Sequence, residues 1–467
     1  MIDSALLSRR AALARMACGF GSLALAGVHA RAAAPSLAHH PARSKRIIFL
    51  FMQGGVSQVD SLDCKPLLTE RDGQMFNFDD AHSIAKTGKG ANQRVMKPLW
   101  EMKQRGQSGL WCSELFPHMA RHMDDFCVIR SMHTEGVAHG PATLFLHTGS
   151  TNFIRPSMGA WVSYGLGSES ENLPAFVTIS PALGNGGPRN YGSAFLPAKY
   201  QGTPIGRSGQ AAKEAGFRYL KSPLSTEASR RQFDLLSTLN AEQSRTRPGD
   251  TAMEAVVESY ELAWRMQSTA PQVMNLDSEP EHVKALYGIG EKETDNYGRQ
   301  CLMARRLAES GVRFIQVNYG DNSNNPAWDQ HSNLPKHADH ARAVDKPVAG
   351  LLADLKQRGL LDDTIVWWGG EFGRTPYAEK NGTGRDHNPG GFSIWVAGGG
   401  FKAGHAHGET DEWGHRAIAG KVHMHDLHAT LLHQLGLNHE RLTWRHDGRD
   451  YRLTDVHGRA VRALLDV

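Results

Sequence analysis

The segment from Arg46 to Met52 constrains this chain most, because it is apolar without interruption from Ile47 onward and is closed at once by Gly54 and Gly55. A half-exposed strand alternates apolar and polar residues, whereas a strand buried on both faces does not. Residues 312–318, 364–368 and 392–397 repeat the pattern, each ending in a Gly- or Asn-containing segment. Helical periodicity at 338–355 and 424–435 separates such runs. Alternating buried strands and helices predict an α/β domain with a doubly wound, mostly parallel sheet sandwiched by helices. From about 210 to 310 the character changes to charged amphipathic helix, at 225–240, 252–267 and 297–309, which reads as a helical insertion or cap.

The N-terminus reads differently. Arg9 and Arg10 precede an apolar, glycine-containing stretch at 16–28, and Ala30-Arg31-Ala32 offers a small-x-small cleavage site. That order is the order of a secretory signal. The paired arginines select the twin-arginine translocase, so residues 1–32 are expected to be a leader and the mature protein periplasmic or secreted. Residues 33–44 read as a linker and 45–467 as the domain. The leader carries Arg9, Arg10, Arg15 and Arg31 against Asp3, so its removal lowers the net charge from +4 to about +1. A nucleic-acid binder would be strongly basic, and none is indicated. No later apolar stretch is long enough to span a bilayer. Cys64, Cys112, Cys127 and Cys301 form no Cys-x-x-Cys pair, which argues against a zinc ribbon or redox motif.

In open parallel sheets, ligands bind beyond the carboxyl ends of the strands. The segments that follow the apolar runs are therefore the candidates. They carry Ser57, Asp60 and Asp63; Asp329 and His331; Glu371 and Arg374; and Asp386 and His387. Asp329 and His331 are two residues apart, which in extended backbone puts both side chains on one face. Carboxylates and imidazoles delivered by several loops form a mixed oxygen and nitrogen donor set. It suits Zn, Mn or Fe, and Mg or Ca where carboxylates dominate. A second group, His133 and His139, leads into an expected helix whose N-terminus offers amide donors to an anion.

These landmarks resemble a known family. Gly54-Gly-Val-Ser-Gln-Val-Asp60, His139-Gly140, Trp328-Asp329-Gln330-His331, Glu371-Phe372-Gly373-Arg374 and Arg385-Asp386-His387 are similar to those of exported bacterial proteins of domain of unknown function 1501. That family in turn resembles the alkaline phosphatase and sulfatase superfamily. The segments carrying this likeness run from His139 to Gly149 and from His423 to Gly436. The resemblance implies metal-assisted attack on a phosphate or sulfate ester. It implies Asp329, His331 and His387 as ligands of one divalent metal (Zn, Ca, Mg or Mn), with Glu371 and Asp60 as further metal carboxylates. His139 and Arg374 are the catalytic candidates, and Ser57, His133 and Asp386 the substrate-binding ones. Three positions depart from the superfamily pattern: Gln53 in place of an aspartate, Phe372 in place of a histidine or asparagine, and His139 in place of a Cys, Ser or Thr nucleophile. The expected substrate is a small anionic ester or a sulfated or phosphorylated saccharide. The alternatives are a non-catalytic relative that binds a polysaccharide or protein partner through the same cleft, and other chemistry at Fe or Mn.

Overall fold

The computed structural model describes residues 37–78, 91–218, 220, 223–246, 251–320, 326–379 and 382–466. The expected leader lies outside the described residues.

The apolar runs assemble into one nine-stranded sheet. In chain order its strands are β1 (Arg46–Met52), β2 (Phe126–His133), β3 (Phe176–Ile179), β4 (Thr203–Ile205), β5 (Phe314–Tyr319), β6 (Thr364–Gly369), β9 (Phe392–Ala397), β10 (His405–His407) and β11 (Val422–His423). Between β6 and β9 lies a separate antiparallel hairpin, β7 (Gly373–Ala378) and β8 (Arg385–Asn388). Across the sheet the order is β10-β2-β9-β6-β1-β5-β3-β4, with β11 also pairing with β2. β1 is central and parallel to both β5 and β6. β9 runs antiparallel to both of its neighbours, β6 and β2. The other pairings in the sheet are parallel.

Alternate residues of the buried strands feed two separate cores, as a period of two requires. Ile48, Leu50, Met52, Val366 and Trp368 face one core, together with α5 (Asp295–Glu309) and α6 (His337–Gln357). Ile47, Phe49, Phe51, Ile365 and Trp367 face the other. That core is completed by α1 (His139–Thr148), α2 (Met158–Leu166) and α7 (Met424–Gln434). The mixed α/β sandwich expected from the sequence is therefore the architecture observed. Within the 210–310 stretch, α5 belongs to the sheet-covering layer, with Cys301, Leu302, Ala304 and Leu307 fully buried. α3 (Thr226–Thr246) and the earlier part of α4 (Thr251–Met274) lean on each other outside it, where Phe233 stacks on Trp264 at 4.9 Å, whereas Met266, Ala270 and Val273 of α4 join the core shared with α5.

Residues 37–44, read as a linker, are pinned at the amino ends of the strands. His39 N donates to Gly436 O at 2.8 Å, and Ser44 N donates to Gln434 O at 2.9 Å. All four cysteines described are free. Burial pushes the thiols of Cys112 and Cys127 up to about 12, so neither is a reactive thiolate near neutral pH.

Candidate metal centre

Four segments meet at the carboxyl end of β1. The first is the turn after β1, where Gly54 has φ +114° and a Cβ would lie 2.6 Å from Asp329 N. Only glycine lets that turn approach the Asp329 loop so closely. Trp328 N donates to Gln53 O at 3.1 Å and ties the two together. The second segment is the Asp329 loop itself. The third is the β7–β8 hairpin, where Arg374 and His387 are cross-strand partners. At its turn, Gly384 passes so near the Asp329 loop that a Cβ would sit 2.3 Å from the His331 carbonyl oxygen. The fourth is the first turn of α1, which presents His139.

These segments bring His139, Asp329, His331 and His387 together, with one ligand atom from each within 4.8 Å of all the others. The Asp329 carboxylate is the hub. Its Oδ2 lies 3.1 Å from His139 Nε2. Its Oδ1 lies 2.9 Å from His331 Nε2 and 3.3 Å from His387 Nε2. The two Nε2 atoms of His331 and His387 are themselves 3.0 Å apart. Each imidazole turns its other nitrogen outward, two of them onto a hydrogen-bond acceptor and that of His331 close to a carboxylate. His139 Nδ1 meets Glu371 Oε1 at 2.6 Å, His387 Nδ1 meets Val137 O at 2.7 Å, and His331 Nδ1 lies 2.8 Å from Glu379 Oε2. Metal-binding histidines are commonly held by such outer acceptors, which fix the tautomer and raise ligand basicity.

The electrostatics match. Burial alone would raise the Asp329 pKa, but the close imidazoles of His139, His331 and His387 and the Arg374 charge hold it well below the usual carboxylate range. Burial would lower the His139 pKa, yet Asp329 and Glu371 together raise it. His387 is pushed down to about 4, first by burial and then by the nearby Arg374 and His139 charges, against the pull of Asp329. At neutral pH it is therefore an uncharged imidazole. Its Nδ1 must carry the proton, because a carbonyl can only accept. The bare Nε2 lone pair then lies beside a carboxylate oxygen, an arrangement that a cation between them would relieve. His139 Nε2 is also buried, with no well-aligned hydrogen bond.

Other candidates from the sequence sit elsewhere. Glu371 is fully buried behind His139 and accepts from Gly54 N at 3.0 and 3.1 Å through its two oxygens, so it orients the cluster from outside. Phe372, where the superfamily pattern has a ligand, lays its ring over His387 at 4.4 Å. Arg374 is completely buried. Its guanidinium donates to Gly55 O at 3.0 Å, Arg385 O at 3.1 Å, Trp328 O at 3.2 Å, Gly54 O and Asp329 Oδ1 at 2.8 Å. Its donors are thus committed within the protein and leave no fork for a substrate anion. Asp60 is paired with Arg385 Nε at 2.8 Å and accepts from Ser57 Oγ at 2.5 Å, so Asp60 and Ser57 stand outside the cluster. Asp386 Oδ1 is 3.7 Å from His331 Nδ1, and with Glu379 forms a smaller group beside it. His133 packs instead on His423, ring centroids 4.9 Å apart. Glu379 and the Val137 carbonyl were not anticipated. The only sequence hint for Glu379 is its place on the arm leading out of β7.

The family model described as protein of unknown function (DUF1501) matches residues 44–465. The chain belongs to the DUF1501 family. Among proteins with curated descriptions, none matches it. Solved structures similar to this DUF1501 member include the PsFucS1 sulfatase from Pseudoalteromonas sp., at 14% identity over 85% of this chain and 69% of that one, with a TM-score of 0.35. Another is a protein in the alkaline phosphatase superfamily from Vibrio parahaemolyticus, at 9% identity over 87% and 70%, with a TM-score of 0.34. A third is BT4656, solved with its substrate D-glucosamine-2-N,6-O-disulfate, at 11% identity over 90% and 82%, with a TM-score of 0.32. Among the described residues, no helix is long and apolar enough to cross a membrane.

Proposed function

We propose that this DUF1501 protein is a metal-dependent hydrolase of phosphate or sulfate esters that works outside the cytoplasm. The observation that carries the reading is the convergence of three Nε2 atoms on Asp329, with the His139 and His387 imidazoles each backed by an outer acceptor. His139, Asp329, His331 and His387 would hold one divalent cation. Three imidazoles and one carboxylate suit Zn, Mn or Fe better than Mg or Ca, which prefer all-oxygen sites. Bound there, the cation supplies Lewis acidity toward an ester oxygen and lowers the pKa of water.

The chain's own groups do the rest. Glu371 and the Val137 carbonyl fix the tautomers of His139 and His387. Phe372 covers one face of the His387 ring and keeps water from it. The first turn of α1 places the positive end of the helix beside the cluster. No heavy atom lies within 4 Å of where a Cβ would stand at Gly140, so an anion has room to approach there. His139 Nδ1 is taken by Glu371 and its Nε2 would be taken by the cation, which favours water over a histidine nucleophile. The N-terminal leader read from the sequence supports an exported protein.

The test is metal content of protein purified from its native compartment, followed by assay on p-nitrophenyl phosphate and p-nitrophenyl sulfate. The expected result is about one metal per chain and turnover that Asp329→Ala and His387→Ala both abolish. Full metal content in those variants would overturn the site. A second reading, redox chemistry at iron or manganese, is favoured by the same donor set. Bound iron with no esterase turnover would select it.

A further inference from the structure

A cavity of about 390 Å³ opens on the same edge of the sheet as the cluster, among the ends of β3 and β5 and the first turns of α5. That volume is within the range of small-ligand sites. Hydroxyls and amides of Ser180, Ser208, Gln210, Tyr297, Gln300 and Asn318 contribute to its walls, between apolar surfaces such as Ala211 and Ala343. Among the described residues the lining holds no lysine, arginine or histidine, and its one charged member, Glu293, is exposed. An anion finds no counter-charge here, and an acyl chain finds no continuous apolar wall.

Three wall residues, Ser180, Tyr297 and Gln300, carry side-chain polar atoms without hydrogen-bond partners inside the protein. Ser180 is 5% exposed and Gln300 4% exposed. Ser180 Oγ and Gln300 Oε1 are buried and make no hydrogen bond. Leaving a buried hydroxyl or amide unpaired costs about 1–3 kcal/mol, so such groups are retained where something else satisfies them. Ser180 also sits at φ +52°, a left-handed conformation that a non-glycine residue adopts at a cost, immediately after β3. The backbone thus holds this serine in the wall against its own preference.

The cavity adjoins the metal centre. Gly320 is in its wall, and a Cβ there would be 3.8 Å from Gln53 Oε1. Gln53 O in turn receives Trp328 N, one residue before Asp329. Gln53, at the position where the superfamily pattern has a carboxylate, lies near Gly320 on one side and holds the Trp328 backbone on the other, and is itself uncharged.

We infer that this cavity binds the uncharged, hydroxyl-rich part of a ligand, a sugar ring or similar polyol. Such a group offers donors and acceptors together, which is what a wall of hydroxyls and amides with an unpaired Oγ and an unpaired Oε1 can recognise. That the same ligand continues into the metal centre rests on the hydrolase reading; occupancy of the cavity by a sugar does not.

The test is calorimetric titration of the full chain with glucose, galactose, N-acetylglucosamine and their β-1,4-linked disaccharides, with glucuronate as the charged control. At least one uncharged sugar should bind saturably and at least tenfold more tightly than glucuronate. Gln300→Leu and Ser180→Ala should each weaken it tenfold or more. Ser208→Trp, a change at a half-buried wall position, should abolish binding while leaving the thermal transition in place, which covers the case where a buried variant misfolds. Asp329→Asn should keep sugar binding even if ester turnover is lost, so the two readings fail separately. No binding by any sugar of the panel, or binding unchanged in Ser208→Trp, would overturn the inference.

Discussion

His139 and Glu371 form a relay-like pair: Nδ1 of the imidazole meets Oε1 of the carboxylate at 2.6 Å, while Nε2 on the far side of the ring faces Asp329 at 3.1 Å. Glu371 therefore acts on the cluster through His139. Replacing it by Gln keeps an acceptor for Gly54 N but removes the charge. Losing an outer-shell partner of this kind weakens metal affinity about 10–100-fold. Chelator-competition titration of Glu371→Gln should show a loss in that range. Unchanged affinity would make Glu371 a purely structural anchor of the Gly54 turn.

Asp329 is the only carboxylate of the four-residue cluster. Asp329→Asn preserves shape and removes the negative charge on which three imidazoles converge. Metal content should fall to less than about one-tenth of wild type, on the scale of losing a direct ligand rather than an outer-shell one. Elemental analysis, with the thermal transition as a folding control, decides this. Retention of stoichiometric metal by a folded variant would remove Asp329 from the site.

Arg374 is predicted to matter for stability before it matters for substrate. It is fully buried and paired with Asp329 at 2.8 Å. Removing one partner of a buried pair typically costs about 3–5 kcal/mol. Arg374→Ala should show a loss of that order in urea denaturation. A variant of native stability with a raised KM for an anionic ester would restore the substrate-binding role read from the sequence.

The protein should lose stability on mild acidification. His147 is pushed down to about 4 and His428 to about 3, in both cases chiefly by burial. In the unfolded chain each titrates near ~6.5. The unfolded state therefore binds protons that the native state refuses, and stability rises with pH between the two values. The contribution is complete above about pH 6.5 and is progressively lost as the pH falls toward 4. His428 donates from Nε2 to Leu146 O at 2.8 Å, a bond that glutamine can reproduce. His428→Gln should flatten the dependence of Tm on pH by up to about one proton. An unchanged profile in that variant would count against His428 as a source.

Much of the fold was legible because burial on both faces writes itself into sequence. The strand at Phe392–Ala397 was read with its observed bounds, yet its antiparallel direction was not, since direction depends on the path between strands rather than on the strand's own residues. Asp329, His331 and His387 were found because short motifs at strand ends carry them. Glu379 and the Val137 carbonyl were missed for a physical reason. One reaches His331 through the fold of a hairpin, and the other is a backbone atom that every residue possesses. From the sequence, Arg374 is a catalytic candidate and Asp60 a metal carboxylate. Only the packed structure shows that one is spent largely on backbone carbonyls and the other on Arg385.

The pinning of residues 37–44 has a practical consequence. Those residues lie at the amino ends of the strands, and Lys45 N donates to Asp363 O at the start of β6. The cluster lies at the opposite ends, separated from them by the length of β1, roughly 20 Å at ~3.3 Å per residue. Residue 37, the first described, therefore stands at the back of the domain. A purification handle, a surface tether or a fluorescent reporter fused there should leave the mouth of the site open to solvent.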